Sequence, residues 1–191
     1  MPDKIACDID GVLIDFHTGF LNFARETYGI EATYKDFQGF GQNFWKDGEE
    51  YDARMAAFYN SKHSQPLVHE GAQEYLEKLA SEGWWIEAIT SRPGYMHERT
   101  QQELDSNFPG VFKAIDFSVN KDGKRKLDLC KKRGLTILIE DIPKYAAECA
   151  AAGMTVFLFD REWNREFDET KHKHITRVSS WKQIYELLQK L

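Results

Sequence analysis

The sequence predicts an α/β fold in which a doubly wound parallel sheet carries a small helical insertion after its first strand. Short apolar runs alternate with stretches of helical periodicity, and three of the four stretches between these runs end at glycine. One aromatic-rich segment near the N-terminus interrupts this alternation. With 191 residues, the chain has the length expected of one domain with an insertion.

Five apolar runs are the predicted strands: KIAC (4–7), WWIEAIT (84–90), AIDFSV (114–119), LTILIED (135–141) and MTVFLFD (154–160). Five further stretches have apolar residues at helical spacing: AQEYLEKLASEG, HERTQQELDSNF, KRKLDLCKKRG, KYAAECAAAG and SWKQIYELLQKL. Because crossover helices join parallel strands, this alternation favours a sheet with helices on both faces.

The interrupting segment, residues 17–67, has no strand-like run and is dense in aromatic residues. Two stretches within it, HTGFLNFARETYG and GEEYDARMAAFYNSK, have helical character. We therefore predict a core domain formed by residues 1–16 and 68–191, and a helical cap formed by residues 17–67.

Composition excludes several classes of function. The formal net charge is −6, and the sequence has no clustered basic face of the kind that binds nucleic acid. No apolar run approaches the length needed to span a membrane. The three cysteines, Cys7, Cys130 and Cys149, form no C-x-x-C pair, which favours a reducing compartment. Since no basic and apolar leader precedes the first strand, we expect a cytoplasmic location.

Acidic and hydroxyl side chains and one arginine lie at the carboxyl ends of three of the predicted strands, at the edge where open α/β sheets bind ligands. These residues are Asp8 and Asp10 at the end of the first strand, Thr90, Ser91 and Arg92 at the end of the second, and Glu140 and Asp141 at the end of the fourth. Each group alone would also serve as a turn or a helix cap, but their joint occurrence favours a site. Because carboxylates brought together repel one another, a divalent cation with oxygen ligands, Mg²⁺, is the simplest compensation.

Three stretches resemble the motifs of the haloacid dehalogenase (HAD) superfamily of phosphohydrolases. DIDGVL resembles its first motif, AITSR its second, and KRKLDLCKKRGLTILIED its third and fourth. The resemblance covers nearly the whole chain, including the position of the insertion. DIDGVLIDF, the small cap and TSRP are most similar to the 5′(3′)-deoxyribonucleotidase branch of that superfamily.

This resemblance implies a Mg²⁺-dependent phosphomonoesterase that forms an aspartyl-phosphate. Asp8 would be the nucleophile, and Asp10 would protonate the leaving alkoxide and then activate water. Mg²⁺ would be held by Asp8, the backbone carbonyl of Asp10, and Asp141. Glu140, where this branch more often has aspartate, would reach the metal through water.

The resemblance also implies residues that bind the phosphate. Thr90 would donate a hydrogen bond to a phosphoryl oxygen, and backbone N–H groups near Gly11 would surround another. A lysine would neutralise phosphate charge and orient the nucleophile. We favour Lys126 over Lys124 and Lys121, because it precedes Asp141 by fifteen residues with one helix and one strand between them.

The cap and the loop after the second strand are expected to select the leaving group. Phe16, Phe44 and Trp45 are candidates for stacking on a base, although a helical cap also needs aromatic residues for its own core. Ser91 and Arg92 are candidates for contact with the phosphate or the sugar. His17 lies close to the first motif and is a further candidate. The histidines of KHKH (171–174) have no evident partner ligands and indicate a solvated loop.

The predicted activity is hydrolysis of a nucleoside monophosphate, and three alternatives stay open. The first is hydrolysis of a sugar phosphate or another small phosphorylated metabolite. The second is a non-catalytic module that binds phosphate or a partner. The third is a phosphomutase. The expected partner is a small phosphate ester, without nucleic acid or membrane, and a homodimer stays open.

Overall fold

The computed structural model describes residues 3–37, 48–118 and 125–191, and its centre is a parallel sheet. The strands are Lys4–Cys7 (β1), Trp85–Thr90 (β2), Ile115–Phe117 (β3), Ile137–Glu140 (β4), Thr155–Phe159 (β5) and Ile175–Val178 (β6). Their order across the sheet is β3-β2-β1-β4-β5-β6. The predicted doubly wound α/β fold is confirmed, although the sequence analysis missed β6.

The helices fall in two groups. α1 (Phe16–Tyr28) and α2 (Gly48–Tyr59) lie between β1 and β2, together with short 3₁₀ turns. The remaining helices are α3 (Ala72–Ser81), α4 (His97–Asn107), α5 (Lys126–Arg133), α6 (Pro143–Ala151) and α7 (Trp181–Leu188). Within the described residues, no helix combines the length and the apolar character needed to cross a bilayer.

The two faces of the sheet are covered by different helices. Because neighbouring residues of a strand point to opposite faces, Ile5 and Cys7 join one apolar cluster and Ala6 joins the other. The first cluster contains side chains from α3, α4 and α7, and the second contains side chains from α5 and α6. The central strands β1 and β4 are therefore buried on both faces, and their carboxyl ends are rigidly placed.

The two segments that connect the cap to the core lie side by side and are joined by backbone hydrogen bonds. Asp15 donates its backbone N–H to the carbonyl oxygen of Leu67 (2.8 Å), and His69 donates to that of Leu13 (2.9 Å). Asp15 also caps α1, because its Oδ1 accepts a hydrogen bond from the Thr18 backbone (3.0 Å). The loop that follows β1 thus directly supports the first helix of the cap.

The cap has an aromatic cluster that extends into the core. Phe20, Phe23, Met55, Phe58 and Tyr59 pack together with Met96 and Trp163, which come from the loops after β2 and β5. Many of the aromatic side chains noted in the sequence therefore hold the cap together and attach it to the sheet edge.

Candidate active site

Three acidic side chains meet where β1 and β4 end. Asp8 directly follows β1, Glu140 is the last residue of β4, and Asp141 follows it. The Asp8 backbone N–H donates to the carbonyl oxygen of Ile139 (3.0 Å), so the two strand ends stay paired up to this point. Each of the three acids offers an oxygen within 4.8 Å of the others, and all three are buried. The structure thus brings together three of the acids predicted from the sequence.

Lys126 is buried among these acids. It is the first residue of α5, and its Nζ lies 2.8 Å from Asp8 Oδ1 and 2.7 Å from Glu140 Oε2. Burial alone would lower the pKa of Lys126, but the charges of Asp8 and Glu140 raise it above its usual value. Lys126 is therefore a permanent cation that orients the Asp8 carboxylate.

The oxygens of Glu140 and Asp141 have different surroundings. Glu140 accepts hydrogen bonds at Oε1 from the backbone N–H groups of Asp141 (3.1 Å) and Ile142 (3.0 Å), while Oε2 binds Lys126. Asp141 Oδ2 accepts from the indole N–H of Trp163 (3.0 Å). Asp141 Oδ1 is buried and has no hydrogen-bond partner among the described residues. That oxygen needs a partner, because a buried acceptor without one is costly.

The acids also carry an unbalanced charge. Burial, reinforced by the charge of Glu140, raises the pKa of Asp8 to about 8. The same causes raise the pKa of Asp141 well above its ordinary value. A cation near Asp8 and the open oxygen of Asp141 would reverse both shifts. The donor set, oxygen only, fits a hard divalent ion.

Gly11 lies against Asp141. Its φ is +82°, and a Cβ at this position would lie 2.1 Å from Asp141 Oδ2. The Gly11 N–H donates to the carbonyl oxygen of Ile14 (2.8 Å), so this group closes the turn and does not point into the site. Glycine is needed here for close approach of two loops. The contact of backbone N–H groups near Gly11 with phosphate stays a prediction.

Asp10 lies on the other side of the turn and is paired with Arg92. The guanidinium donates from Nε to Asp10 Oδ2 and from Nη2 to Asp10 Oδ1, both at 2.8 Å. Its remaining nitrogen, Nη1, donates to Glu103 Oε2 (2.6 Å). The charge of Asp10 is a lesser cause of the raised pKa of Asp8. Arg92 was expected to contact phosphate or sugar, but in this structure it binds carboxylates instead.

The hydroxyl residues after β2 stabilise that loop. Thr90 is buried, and its Oγ1 accepts a hydrogen bond from the Arg92 backbone N–H (3.1 Å). Its own hydroxyl proton is available for a further acceptor. Ser91 Oγ lies 3.0 Å from Ser118 Oγ and donates to the Tyr145 hydroxyl (3.4 Å). Ser91 therefore bonds to side chains of the core rather than to the cleft.

A cleft separates the cap from Asp10. Aromatic side chains form part of its wall, and charged side chains also line it; the lining residues include Asp10, Phe16, Phe58, Tyr59, Arg92 and Glu103. Phe16 stacks on Phe20 at a ring distance of 5.6 Å and presents part of its surface to the cleft. Phe44, Trp45 and the alternative lysines Lys121 and Lys124 lie outside the described residues.

Sequence reasoning missed the loop after β5. Trp163 contacts Asp141 and stacks on His17 with ring centroids 3.7 Å apart. Arg161 Nε donates to the carbonyl oxygen of Gly11 (2.8 Å), and Asn164 Nδ2 donates to that of Asp141 (2.7 Å). The available signal was their position directly after a predicted strand. His17 is buried beneath this loop, and its pKa falls to about 4 chiefly because of burial.

A protein-family model matches almost the whole chain. The family model described as "5′ nucleotidase, deoxy (Pyrimidine), cytosolic type C protein" matches residues 3–191. A Chlorobaculum tepidum protein named "Putative 5′(3′)-deoxyribonucleotidase" is 27% identical, over 96% of this chain and 89% of that protein.

Solved structures share the fold at low identity. A haloacid dehalogenase-like family hydrolase from Streptococcus pneumoniae has a TM-score of 0.74 at 16% identity, covering 98% of both chains. A protein described as a "predicted phosphatase" from Clostridium acetobutylicum has a TM-score of 0.73 at 17% identity, covering 99% of both chains. These similarities show that the chain shares its overall fold with both proteins.

Proposed function

The chain belongs to the family of deoxy (pyrimidine) 5′ nucleotidases of cytosolic type C, and on that premise we propose that it hydrolyses a deoxyribonucleoside monophosphate with Mg²⁺ through an aspartyl-phosphate. Two predictions made from the sequence are confirmed: the chain belongs to the HAD superfamily, and it is a phosphatase. The name of the Chlorobaculum tepidum relative supports a deoxyribonucleotide substrate. The observation that carries the proposal is the convergence of Asp8, Asp141 and Lys126 at the ends of β1 and β4. Asp10, two residues after Asp8, lines a cleft together with aromatic side chains.

In the first step, an oxygen of Asp8 forms a bond to phosphorus while the bond from phosphorus to the leaving oxygen breaks. Lys126 holds the attacking carboxylate at 2.8 Å. Both Asp10 oxygens accept hydrogen bonds from Arg92, so Asp10 first takes up a proton from solvent on a lone pair that Arg92 leaves unused. It gives this proton to the leaving oxygen, so that an alcohol departs and not an alkoxide. Thr90 donates its hydroxyl proton to a phosphoryl oxygen.

In the second step, water attacks the same phosphorus. Asp10, now a carboxylate, takes the proton of that water, and the bond between phosphorus and Asp8 breaks. The products are inorganic phosphate and the free Asp8 carboxylate. Mg²⁺ would be held by Asp8, the carbonyl of Asp10 and Asp141, and it would supply charge stabilisation for the meeting of two anions.

The core and the cap have different roles in the proposed reaction. Residues 1–16 and 68–191 provide the reacting groups, and the cap, residues 17–67, provides the wall that contacts the leaving group. Phe16, the last residue of the core segment before the cap, is the stacking residue beside this wall, where one base contact is worth about 1–3 kcal/mol. The cysteines of the described residues are buried and free, which supports a reducing compartment.

The test is release of phosphate from a panel of esters in the presence of Mg²⁺. The panel contains ribo- and deoxyribonucleoside monophosphates with 5′ or 3′ phosphate, sugar phosphates, and p-nitrophenyl phosphate. We expect the highest kcat/KM with a deoxyribonucleotide and no turnover by Asp8→Asn. If no ester is hydrolysed faster than by Asp8→Asn, the enzymatic proposal is wrong.

A second comparison separates nucleotides from other esters. Phe16→Ala should lower kcat/KM for the nucleotide about tenfold and leave that for a sugar phosphate, which has no aromatic ring to stack, nearly unchanged. Phe112→Ala, another half-buried phenylalanine, which packs against the first apolar cluster of the core, is the control. Equal losses for both substrates with Phe16→Ala would favour a sugar phosphate or another small metabolite.

A further inference from the structure

A continuous chain of four charged side chains runs from Asp10 to the cap. Its members are Asp10, Arg92, Glu103 and Arg99, and we call it the ion-pair chain. The two arginines and the two acids balance each other in charge. Only Arg92 and Asp10 were noted in the sequence, since Glu103 and Arg99 lie within the polar helix α4.

Arg92 is held by hydrogen bonds on all three nitrogens of its guanidinium. Its guanidinium makes two hydrogen bonds of 2.8 Å to Asp10, one of 2.6 Å to Glu103, and one of 3.3 Å to Thr100 Oγ1. Only 4% of its side chain is exposed. Because a bidentate guanidinium–carboxylate pair is directional, Asp10 can change its orientation only if Arg92 also moves.

Glu103 connects the two arginines. Its Oε2 accepts from Arg92 (2.6 Å), and its Oε1 accepts from Arg99 Nε (2.8 Å). Its side chain is only 11% exposed, so these bonds are little weakened by solvent. Glu103 also lines the cleft, which puts this connection directly beside the space for the leaving group.

Arg99 holds the cap. It donates to the carbonyl oxygen of Tyr59 at the end of α2, to the carbonyl oxygen of Ser64 (2.7 Å), and to Ser64 Oγ (2.8 Å). Tyr59 and Ser64 both line the cleft. The cap wall and Asp10 are thus joined by charge-assisted hydrogen bonds without a gap.

We propose that Glu103 and Arg99 are positioning residues that act through Arg92 to fix the Asp10 carboxyl relative to the cap wall of the cleft. The inference rests on the proposed function, because it concerns the proton that Asp10 gives to the leaving oxygen. A leaving group seated on the wall is then placed within reach of that proton. Misplacement of the proton donor by about 1 Å costs on the order of 100-fold in rate.

The test uses leaving groups that differ in their need for a proton. An alkyl phosphate such as a nucleotide releases a strongly basic alkoxide, whereas p-nitrophenyl phosphate releases a stable anion that needs little protonation. The quantity to compare is kcat/KM, which reports the steps up to departure of the leaving group. We expect Glu103→Gln and Arg99→Ala to lower it about 10- to 100-fold for the nucleotide and less than about threefold for p-nitrophenyl phosphate.

Two matched variants control for folding and charge. Arg99→Lys keeps the charge without the forked donors, and it should give an intermediate loss with the same dependence on leaving group. Glu74→Gln removes an acid that pairs with Lys78 at 2.8 Å within α3, and it should leave both substrates unaffected. Thermal unfolding of each variant shows that the compared proteins are folded.

A double-variant cycle completes the test. In an Asp10→Asn background, which lacks the proton, Glu103→Gln should cause no further loss with the nucleotide. Equal losses on both substrates by folded variants, or additive losses in the Asp10→Asn background, would overturn the inference. Failure of the proposed function itself looks different, since the unaltered protein would then hydrolyse neither ester faster than Asp8→Asn.

Discussion

The ammonium group of Lys126 lies 2.8 Å from an oxygen of Asp8, and both side chains are buried. Lys126 also binds Glu140 at 2.7 Å, while Asp141 completes the group of acids. Three carboxylates and one ammonium leave two negative charges when all are ionised, which is the charge that a divalent cation would neutralise. This arrangement has consequences for stability, metal binding and pH dependence.

Replacement of Lys126 by methionine should destabilise the metal-free protein. The change leaves buried carboxylates without their cation, and loss of one partner of a buried pair costs about 3–5 kcal/mol. Urea unfolding above about pH 8, where Asp8 has largely ionised, measures the effect. Lys131→Met, at an exposed position of the same helix, is the control. Equal stability of the two variants would contradict the ion-pair account.

Gly11→Ala should abolish metal binding and activity. The new Cβ would lie 2.1 Å from Asp141 Oδ2, so the carboxylate or the turn has to move. Gly29→Ala is a matched control, because Gly29 has a similar φ of +66° and nothing within 4 Å of the added Cβ. Both variants carry the backbone strain, but only Gly11→Ala should lose Mg²⁺ affinity in calorimetric titration. Equal affinities would show that the close approach is irrelevant to the metal.

Stabilisation by Mg²⁺ should increase with pH. Burial raises the pKa of Asp8 from 3.8 to about 8, so the folded metal-free protein keeps a proton that the unfolded chain releases above about pH 4. The contribution of Asp8 to stability therefore falls as pH rises from about 4 to about 8. Mg²⁺ binding requires the carboxylate and expels this proton, so its affinity rises through the same window.

The measurement is the difference in Tm with and without Mg²⁺ at a series of pH values. This difference should grow between about pH 6 and about pH 8 and should then level off. In the Asp8→Asn variant, the difference in Tm should change less with pH. A difference that is constant, or that shrinks with rising pH, would show that Asp8 does not have to lose a proton when the metal binds.

Trp163→Phe should weaken Mg²⁺ binding while it keeps the aromatic stack on His17. The variant removes the indole N–H that donates to Asp141 Oδ2 at 3.0 Å. Loss of such a supporting hydrogen bond typically costs about 10–100-fold in metal affinity. Trp85→Phe, at an exposed position at the start of β2, is the control for loss of an indole. Unchanged affinity in the Trp163 variant would assign the indole to packing alone.

Much of the fold could be predicted because its central strands are short apolar runs that are buried on both faces. β4 and β1 have this character, and the acids at their ends could be placed at one sheet edge. β6 has only four residues, ITRV, with Thr176 exposed and Arg177 partly exposed. An edge strand of this kind lacks the apolar signal of a central strand, which is why it was missed.

The partners of individual side chains could not be predicted in the same way. Arg92 follows a motif that suggests phosphate, yet it pairs with Asp10, which is 82 positions away in the chain. Such a contact depends on how α4 and the loop after β2 pack, which periodicity does not encode. Trp163 was missed for the same reason, since its role comes from the fold of a loop over Asp141.

The loop after β5 contributes no reacting group, but it braces the two loops that do. Arg161 ties down the turn at Gly11, and Asn164 bridges the carbonyl oxygens of Asp141 and Phe159 at 2.7 Å each. A minimal catalyst cut from this scaffold would retain every motif and still lose its geometry if residues 161–164 were left out. A design that places these acids on another sheet therefore also needs a loop that holds their turns in position.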